Sequence, residues 1–508
     1  MASFYIPLTG LNADSTALNT IANNLANMNT TGYKSKSVSF SDLFYQQIGE
    51  AGSGDPIQRG SGTQVASIAT DFSNGSPNST GVDTNVALQG NGFFVVGDGG
   101  NTLLTRAGDF SLDQGGNLIT ADGLSVMGFP AINGKVDTTA PLAPIRIPVG
   151  EVELPSATTS FGMIATLNSS AQVGDSLPGT VQVYDSLGNS YQATVKYTKT
   201  GTNNWSYSIT LPDKLPASVD AATGDITYNF GGGGASLATV NPSTNLTITG
   251  VNGAGVSSTI NAPAVASGEP IANYATALQG ALTAAGITAT VTATGSQLTI
   301  SGANLTTSGA LIQDPVRSSS ATGSLTFDSN GNLVSPSTNV SGVTFSGLSD
   351  GASNMNLTWE LYGADGSPSL SQVVSDASAV SSTSQDGFAS GIYRGFSIGA
   401  DGTVTATFKN GQKLNVGQLA LGNVVNLQGL KALGNGEFET TLASGSATIG
   451  ISGTSGLGSM QGGALEGSNV NISAEFSKLI IAQRAFEANS KAITTFDTVT
   501  QETINMIR

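Results

Sequence analysis

The end of the chain carries an apolar pattern with a repeat of seven residues. No proline occurs from residue 469 onward, and apolar side chains recur at Ile472, Leu479, Phe486 and Ile493. Phe496 lies three residues further on, in the second row of the same pattern. Two apolar positions in each heptad form a seam that pairs one helix with another. The pattern therefore predicts a long helix with one apolar face.

The beginning of the chain repeats this pattern. Leu11, Leu18 and Leu25 are seven residues apart, and Ile21 and Met28 are interleaved with them. A short amphipathic helix is marginally stable alone in water, and most of its stability comes from packing its apolar face. We therefore expect the two terminal helices to pair with each other, with copies of the same chain, or with both.

Between the two ends the pattern changes to an alternation of apolar and polar residues. Turn dipeptides interrupt it at short spacing, including Asn-Gly at 91–92, Asp-Gly at 122–123 and Asn-Gly at 410–411. Such dipeptides favour tight hairpin loops. The sequence thus predicts a mainly β fold with α-helical coiled-coil termini. We expect a nested, multi-domain order in which the N- and C-terminal helices pair and the β domains are inserted between them.

Changes in composition divide the chain into five nested parts, of which all but the innermost draw on two segments. The predicted parts are a terminal helical domain (1–30 and 468–508), a connecting segment (31–80 and 455–467), an inner β domain (81–149 and 385–454), an outer β domain (150–242 and 313–384) and a small inserted α+β module (243–312).

The composition excludes several functions. The net charge is −16 and only 10% of the residues are charged, whereas nucleic-acid binding requires clustered Lys and Arg. No run approaches the ~18 apolar residues of a membrane-spanning helix, so membrane insertion is not expected. The chain has no Cys and no His, which removes thiolate nucleophiles, Ser-His-Asp triads and histidine-ligated metals. We therefore expect no catalytic residues, no metal and no cofactor, and the protein is not expected to be an enzyme.

The first residues do not resemble a cleaved secretory signal. The first basic residue is Lys34, and Pro7 and Gly10 interrupt the apolar stretch before it. Lys34 and the nearby Lys36 are interpreted as part of a solvated face.

Two five-residue stretches have the same outline. Residues 185–189 read Asp-Ser-Leu-Gly-Asn, and residues 328–332 read Asp-Ser-Asn-Gly-Asn. Both are similar to the start of a calcium-binding loop, but they lack the further carboxylates that an EF-hand loop supplies. Hairpin turns are the better interpretation of both stretches.

Three motifs resemble signatures of the bacterial flagellar rod and hook axial proteins. The first comprises residues 8–13 and 22–34, the second residues 86–96 and 105–110, and the third residues 465–471 and 481–492. The second motif, which contains Leu-Gln-Gly-Asn-Gly-Phe-Phe-Val-Val, is similar to the core motif of the hook and distal-rod branch. The long middle of the chain, together with residues 154–159 and 183–189, favours the hook.

This resemblance implies a structural subunit of the flagellar hook, a curved helical tube that acts as a universal joint between rod and filament in motility. It implies a homopolymer of this chain, with flagellar rod, hook cap and hook–filament junction proteins as further partners. It also implies export by the flagellar type III apparatus without a cleaved signal peptide, and an extracellular location at the hook, next to the basal body. The seam residues of both termini would then form the polymerisation contacts.

Two alternatives remain open from the sequence. The first is a distal-rod or hook-associated axial protein of the same family. The second is a secreted β-rich adhesin or glycan-binding protein, which would account for the middle of the chain but not for its two helical ends. A glycan-binding role of the exposed inner domain stays open as a secondary activity, and Trp205 and Trp359 are interpreted as core residues.

Overall fold

The computed structural model describes residues 4–506 except 53, 99, 216, 231–235, 238–245, 265–267 and 376. The chain forms two compact units. Unit 1 contains Met1–Glu151 and Ile392–Arg508, and unit 2 contains Val152–Gly391. Because unit 1 is built from both ends of the chain and unit 2 from its middle, the predicted nested order is confirmed.

Three α-helices occur among the described residues: α1 (Tyr5–Ala26), α2 (Ile271–Ala284) and α3 (Ile472–Met506). Helix α1 ends before the predicted residue 30, because residues 27–32 form turns instead. Their Asn and Thr side chains compete with the helix for backbone hydrogen bonds. Helices α1 and α3 pack against each other, which confirms that the ends of the chain meet. No helix in the described part of the chain is long and apolar enough to cross a membrane.

The strands of unit 1 fall before and after the inserted unit. They are Lys36–Asp42, Tyr45–Glu50, Pro56–Gly60, Thr63–Thr70, Pro77–Ser79, Val86–Gln89, Phe93–Asp98, Asn101–Thr105, Ser111–Leu112, Leu118–Ile119, Ser125–Ile132, Lys135–Val136, Ala143–Pro144, Gly391–Ile398, Thr403–Phe408, Lys413–Leu419, Leu421–Asn423, Lys431–Gly434, Glu437–Glu439, Thr448–Gly450, Ser459–Gly462 and Ala464–Glu466.

The main sheet of unit 1 joins the two halves of the chain. Strand Ser125–Ile132 pairs antiparallel with Phe93–Asp98 on one side and with Lys413–Leu419 on the other. Alternating apolar residues from both halves fill the core of this unit. Phe94 and Phe110 meet edge to face there, with ring centroids 5.2 Å apart. The sheet and its core therefore tie the residues before the insertion to those after it.

The strands of unit 2 include several long antiparallel pairs. They are Val152–Glu153, Ser160–Asn168, Ser176–Tyr184, Ser190–Gly201, Asn204–Thr210, Asp213–Leu215, Ala217–Val219, Ile226–Asn229, Ser236–Leu237, Thr247–Val251, Ser257–Asn261, Ala289–Thr294, Gln297–Gly302, Thr306–Ser308, Leu311–Asp314, Val316–Arg317, Thr322–Phe327, Leu333–Ser335, Val340–Ser346, Met355–Glu360, Leu370–Val373 and Ala379–Gln385.

Among the described residues of unit 2, the buried hydrophobic side chains form two separate clusters. The larger one surrounds Trp205 and Trp359, so both are core residues, as predicted. The smaller cluster packs α2, which lies in the segment 243–312, against strands. Its buried residues begin at Leu215 and include Ile226 and Tyr228, which precede the predicted start at 243. That boundary itself lies outside the described residues.

Candidate functional site

The helix pair α1–α3 is antiparallel. Three contacts show this, because the residue numbers rise along α1 while they fall along α3. Phe4 lies near Phe496, with ring centroids 6.1 Å apart. Asn489 Nδ2 donates to Asp14 Oδ2 (2.8 Å), and Asn24 Nδ2 donates to Glu475 Oε2 (3.0 Å). The chain thus brings its two helical ends together along most of α1.

The row of α3 that faces α1 is partly polar. Glu475, Ala482, Asn489 and Phe496 are seven residues apart, and all four have a contact with α1 or a buried position. A Cβ atom at Gly10 of α1 would lie 2.7 Å from the amide nitrogen of Asn489. Glycine therefore permits the close approach of the two helices at this level.

The predicted seam residues differ in how far the single chain covers them. Ile21 is buried, and Met28, which lies beyond the end of α1, and Ile472 are exposed. The other predicted residues are half-buried: Leu11, Leu18, Leu25, Leu479, Phe486, Ile493 and Phe496.

The outer surface of the helix pair is rich in apolar side chains. Ile481 is 68% exposed and lies next to the buried Ala482. Further large apolar side chains are exposed on both helices: Tyr5, Ile6, Leu8, Phe476, Ile480, Val499, Ile504 and Met506. Much of the apolar surface at the chain termini is thus available for contacts outside the chain.

A buried amide connects the helix pair to the first strand. The Asn24 side chain accepts from the N–H of Lys36 (2.9 Å) and donates to its carbonyl oxygen (2.8 Å). The same amide nitrogen donates to Glu475. Asn24 therefore satisfies a strand backbone and a carboxylate at once, in a position where unpaired polar groups would be costly.

A second polar cluster of unit 1 is built around a buried carboxylate, that of Glu466. Glu466 accepts from Lys34 Nζ at 2.7 Å and from Arg106 Nη1 at 3.3 Å, and the three side chains are at most 3% exposed. Its Oε1 also accepts from the N–H of Gly75, and its carbonyl oxygen accepts from the N–H of Gly32. We call this cluster the Glu466 junction.

Both cations of the Glu466 junction have further partners. Lys34 donates to the carbonyl oxygen of Ser73 (2.7 Å), and Arg106 donates to that of Gly90 (2.8 Å) and lies over the ring of Phe93. Burial lowers the pKa of Lys34, and the neighbouring Glu466 opposes this effect. Burial likewise lowers the pKa of Arg106. The carboxylate is thus what makes two buried positive charges tolerable.

Gly32 shows how tightly the Glu466 junction is built. Its φ is +64°, a left-handed conformation that favours glycine, and a Cβ atom there would lie 2.7 Å from the carbonyl of Arg106. The residue is the last of the turns after α1 and lies against the β core. Any other residue at this position would push the two apart.

The sequence interpretation of Lys34 as a solvated residue is wrong, because the ion pair with Glu466 buries it. Sequence reasoning also missed the roles of Glu466, Asn24 and Glu475. A sequence signal was present for Glu475, which falls on a seven-residue row with Ala482 and Phe496. Polar side chains inside an apolar repeat indicate buried partners that the pattern alone does not identify.

The two Asp-initiated stretches of unit 2 are hairpin turns, as predicted. Asp185 and Asp328 each accept from backbone N–H groups two and four residues further along. Among the described residues no group of three or more acidic side chains could hold a metal ion.

Four family models match successive parts of the chain. They are the flagella basal body rod protein (4–34), the flagellar hook protein FlgE/F/G D1 domain (87–165), the flagellar basal body protein FlaE D2 domain (166–308) and the flagellar basal body rod FlgEFG protein C-terminal (461–506). Together with the paired helical ends, these matches define a flagellar axial protein of the rod and hook class.

Full-length relatives narrow this class. The flagellar hook protein FlgE of Salmonella typhimurium is 30% identical, with 99% of this chain and 100% of that protein aligned. FlgE of Treponema pallidum is 28% identical over the whole of both chains. The crystal structure of Helicobacter pylori FlgE2 covers 76% of this chain and 98% of its own, with a TM-score of 0.37 and 14% identity. The chain belongs to the flagellar hook protein family.

This membership confirms the resemblance seen in the sequence motifs. The protein is a structural subunit of the bacterial flagellar hook, and it polymerises into the hook in association with the basal body. The alternatives of a distal-rod protein and of a secreted adhesin are not supported by the full-length relatives.

The Glu466 junction generates a stability prediction. Glu466→Gln removes the charge that compensates two buried cations, so unfolding should become easier by about 3–5 kcal/mol. The measurement is urea unfolding of the full chain, followed by helical circular dichroism. Glu439→Gln is the matched control, since its ion pair with Lys431 is about half exposed and should contribute less than about 1 kcal/mol. Equal effects of the two substitutions would contradict the assignment.

The Asn24 amide generates a second prediction. Asn24→Asp removes the donor and places a second carboxylate beside Glu475, so the α1–α3 contact should weaken by about 1–3 kcal/mol at neutral pH. Hydrogen exchange of α1 and α3, followed by mass spectrometry, should become faster in the variant. Asn29→Asp, at an exposed position in the turns after α1, should leave exchange unchanged. Unchanged exchange in Asn24→Asp would show that the amide does not hold the helices together.

Proposed function

We propose that the terminal helices supply the main contacts between subunits of the hook. The observation that carries this proposal is the exposed apolar surface of the α1–α3 pair, to which Phe476, Ile480 and Ile481 contribute on α3. Burial of such surface against another copy stabilises a complex by about 25 cal/mol per Å² before the costs of association. A homopolymer provides a copy of this surface on every subunit.

The predicted seam residues belong to this interface in our proposal. Most of them are half-buried in the single chain, so they have further area to bury when subunits assemble. The set is Leu11, Leu18, Ile21, Leu25, Met28, Ile472, Leu479, Phe486, Ile493 and Phe496.

We further propose that the five nested parts predicted from the sequence are the working parts of the subunit, from the terminal helical domain inward. The small module is extended in this proposal to include residues 215–230, because buried residues of that segment belong to its cluster. The Glu466 junction supports a role for the segments 31–80 and 455–467 as the connection between helices and β core.

The remaining proposals concern partners and route. Family membership supports contacts with rod, hook cap and hook–filament junction proteins, and export by the flagellar type III apparatus without a cleaved signal. The low content of charged residues and the lack of Cys suit a chain that passes through a channel and folds outside. The role we propose is mechanical, without catalysis, and the lack of both His and Cys supports it.

If the terminal helices form the interface, Ile481→Asp should prevent tube formation without unfolding the subunit. This side chain is 68% exposed in the single chain, so the variant should fold with its helices paired. It should fail to form tubes, because a charge would be buried between copies. Circular dichroism checks folding, and electron microscopy of polymerised protein checks assembly.

Val425→Asp is the matched control for this experiment. Val425 is 94% exposed and lies outside the helix pair, so the same chemical change should leave tube formation intact. Tubes of normal yield from Ile481→Asp would contradict the proposed interface.

A further inference from the structure

Two turns of unit 2 have matching internal hydrogen bonds, and we call them the twin turns, but their surroundings differ. In each, the Asp side chain accepts from the N–H groups two and four residues further along, at 2.8–2.9 Å. In each, the final Asn also donates to the second carboxylate oxygen, at 3.3 Å for Asp185 and 3.2 Å for Asp328. The local chemistry of the two turns is therefore matched.

The neighbour that distinguishes them is Asp350. It lies on the loop between strands Val340–Ser346 and Met355–Glu360, and its carboxyl is within hydrogen-bond reach of the Asp185 carboxyl. Asn189 Nδ2 donates to Asp350 Oδ2 at 2.8 Å as well as to Asp185. The Asp185 residue is fully buried. Two carboxyl groups so placed repel each other when both are ionised.

We propose that Asp185 and Asp350 share one proton, and that this proton fastens the turn at 185–189 to the loop at 347–354. When the proton is released to solvent, two adjacent carboxylates remain, and the turn and the loop separate. A hydrogen bond from the N–H of Ser353 to Ser186 Oγ (3.0 Å) joins the same two segments, so the pair acts at an existing contact.

The surroundings support a shared proton. Tyr191 OH donates to Asp350 Oδ2 at 2.8 Å, and the N–H of Ala352 donates to its Oδ1 at 2.9 Å. Asp185 accepts a comparable set of bonds, but Asp350 is exposed whereas Asp185 is fully buried. Contact with solvent favours the anion on Asp350, which leaves Asp185 as the proton carrier. The other charged groups that face this region are Asp213 and Lys214, which line a cavity of about 730 Å³ together with Asp350 and Tyr191. Asp213 adds further negative potential at Tyr191.

The direction of each pKa agrees with this assignment. Burial, followed by the neighbouring Asp350 carboxyl, raises the pKa of Asp185. Partial desolvation opposes ionisation of the exposed Asp350, but its hydrogen bonds, first that from Asp185, lower its pKa. In the twin turn, hydrogen bonds from Asn332 lower the pKa of Asp328.

The pH dependence follows from the raised pKa. Between the unfolded Asp value of about 3.9 and the higher folded value, the folded chain binds more protons than the unfolded chain. The pair's contribution to stability is therefore complete below that window and is lost as the pH rises through the folded pKa of Asp185. Asp350, with its lowered pKa, titrates below the window.

The test uses Asp185→Asn, which is neutral and carries a permanent donor in place of the shared proton. Urea unfolding of the full chain is followed by tryptophan fluorescence, because both tryptophans, Trp205 and Trp359, lie in the core of unit 2. The unfolding midpoint of the variant minus that of the wild type should grow as the pH is raised from about 4 to about 7. A difference that is constant or shrinks with pH would overturn the proposal.

Two further measurements complete the test. Asp328→Asn, the substitution in the twin turn, should give a midpoint difference that does not grow with pH; growth equal to that of Asp185→Asn would overturn the proposal. Carbon NMR of ¹³C-carboxyl-labelled Asp in the wild-type chain gives the pKa of Asp185 without relying on the variant's folding. A value above the ordinary Asp range supports the shared proton, and a value at or below that range would overturn it.

Discussion

The structure of unit 1 depends on one buried carboxylate and its two cations. Glu466 lies just before α3, Lys34 lies shortly after α1, and Arg106 belongs to the β core, yet the three side chains meet away from solvent. Removing charges from water is costly, and their mutual attraction offsets this cost only when geometry and hydrogen bonds are good. The Glu466 junction therefore stabilises one arrangement of helices and β core, because other arrangements would leave a buried charge unpaired.

In the helix pair, polar contacts likewise set the arrangement, while many apolar side chains remain exposed. The row of α3 that faces α1 contains Glu475 and Asn489, whose hydrogen bonds to Asn24 and Asp14 set the register of the pair. Much of the remaining apolar surface faces outward. A subunit of a tube benefits from this division, because the contacts within a chain determine its shape while the outer surface is kept for neighbouring copies.

The sequence correctly predicted the elements that depend on local periodicity. The seven-residue repeat predicted helical ends, and the Asn-Gly and Asp-Gly dipeptides predicted the hairpins, because both signals come from residues close together in the chain. It did not recover what depends on distant partners. Lys34 and Glu466 are 432 positions apart, so no local pattern shows that the lysine is buried.

Contacts with distant residues also explain what the sequence did not show about the twin turns and the small module. Asp185 and Asp328 begin turns of the same outline, and their local sequences do not show that Asp185 is buried beside Asp350, far along the chain. The residues from Leu215 onward precede the segment with a helical pattern, but packing assigns them to its cluster. The burial of Glu475 in the facing row of the helix pair was missed for a related reason, since a buried Glu is recognised only when its hydrogen-bond partner is known.

The most direct measurement of the central claim is a cryo-electron microscopy reconstruction of tubes assembled from this chain. We predict that α1 and α3 remain paired in the antiparallel register that joins Asp14 to Asn489, and that neighbouring subunits cover Phe476, Ile480 and Ile481. A tube in which these side chains face solvent, with subunits joined through unit 2 alone, would contradict this prediction.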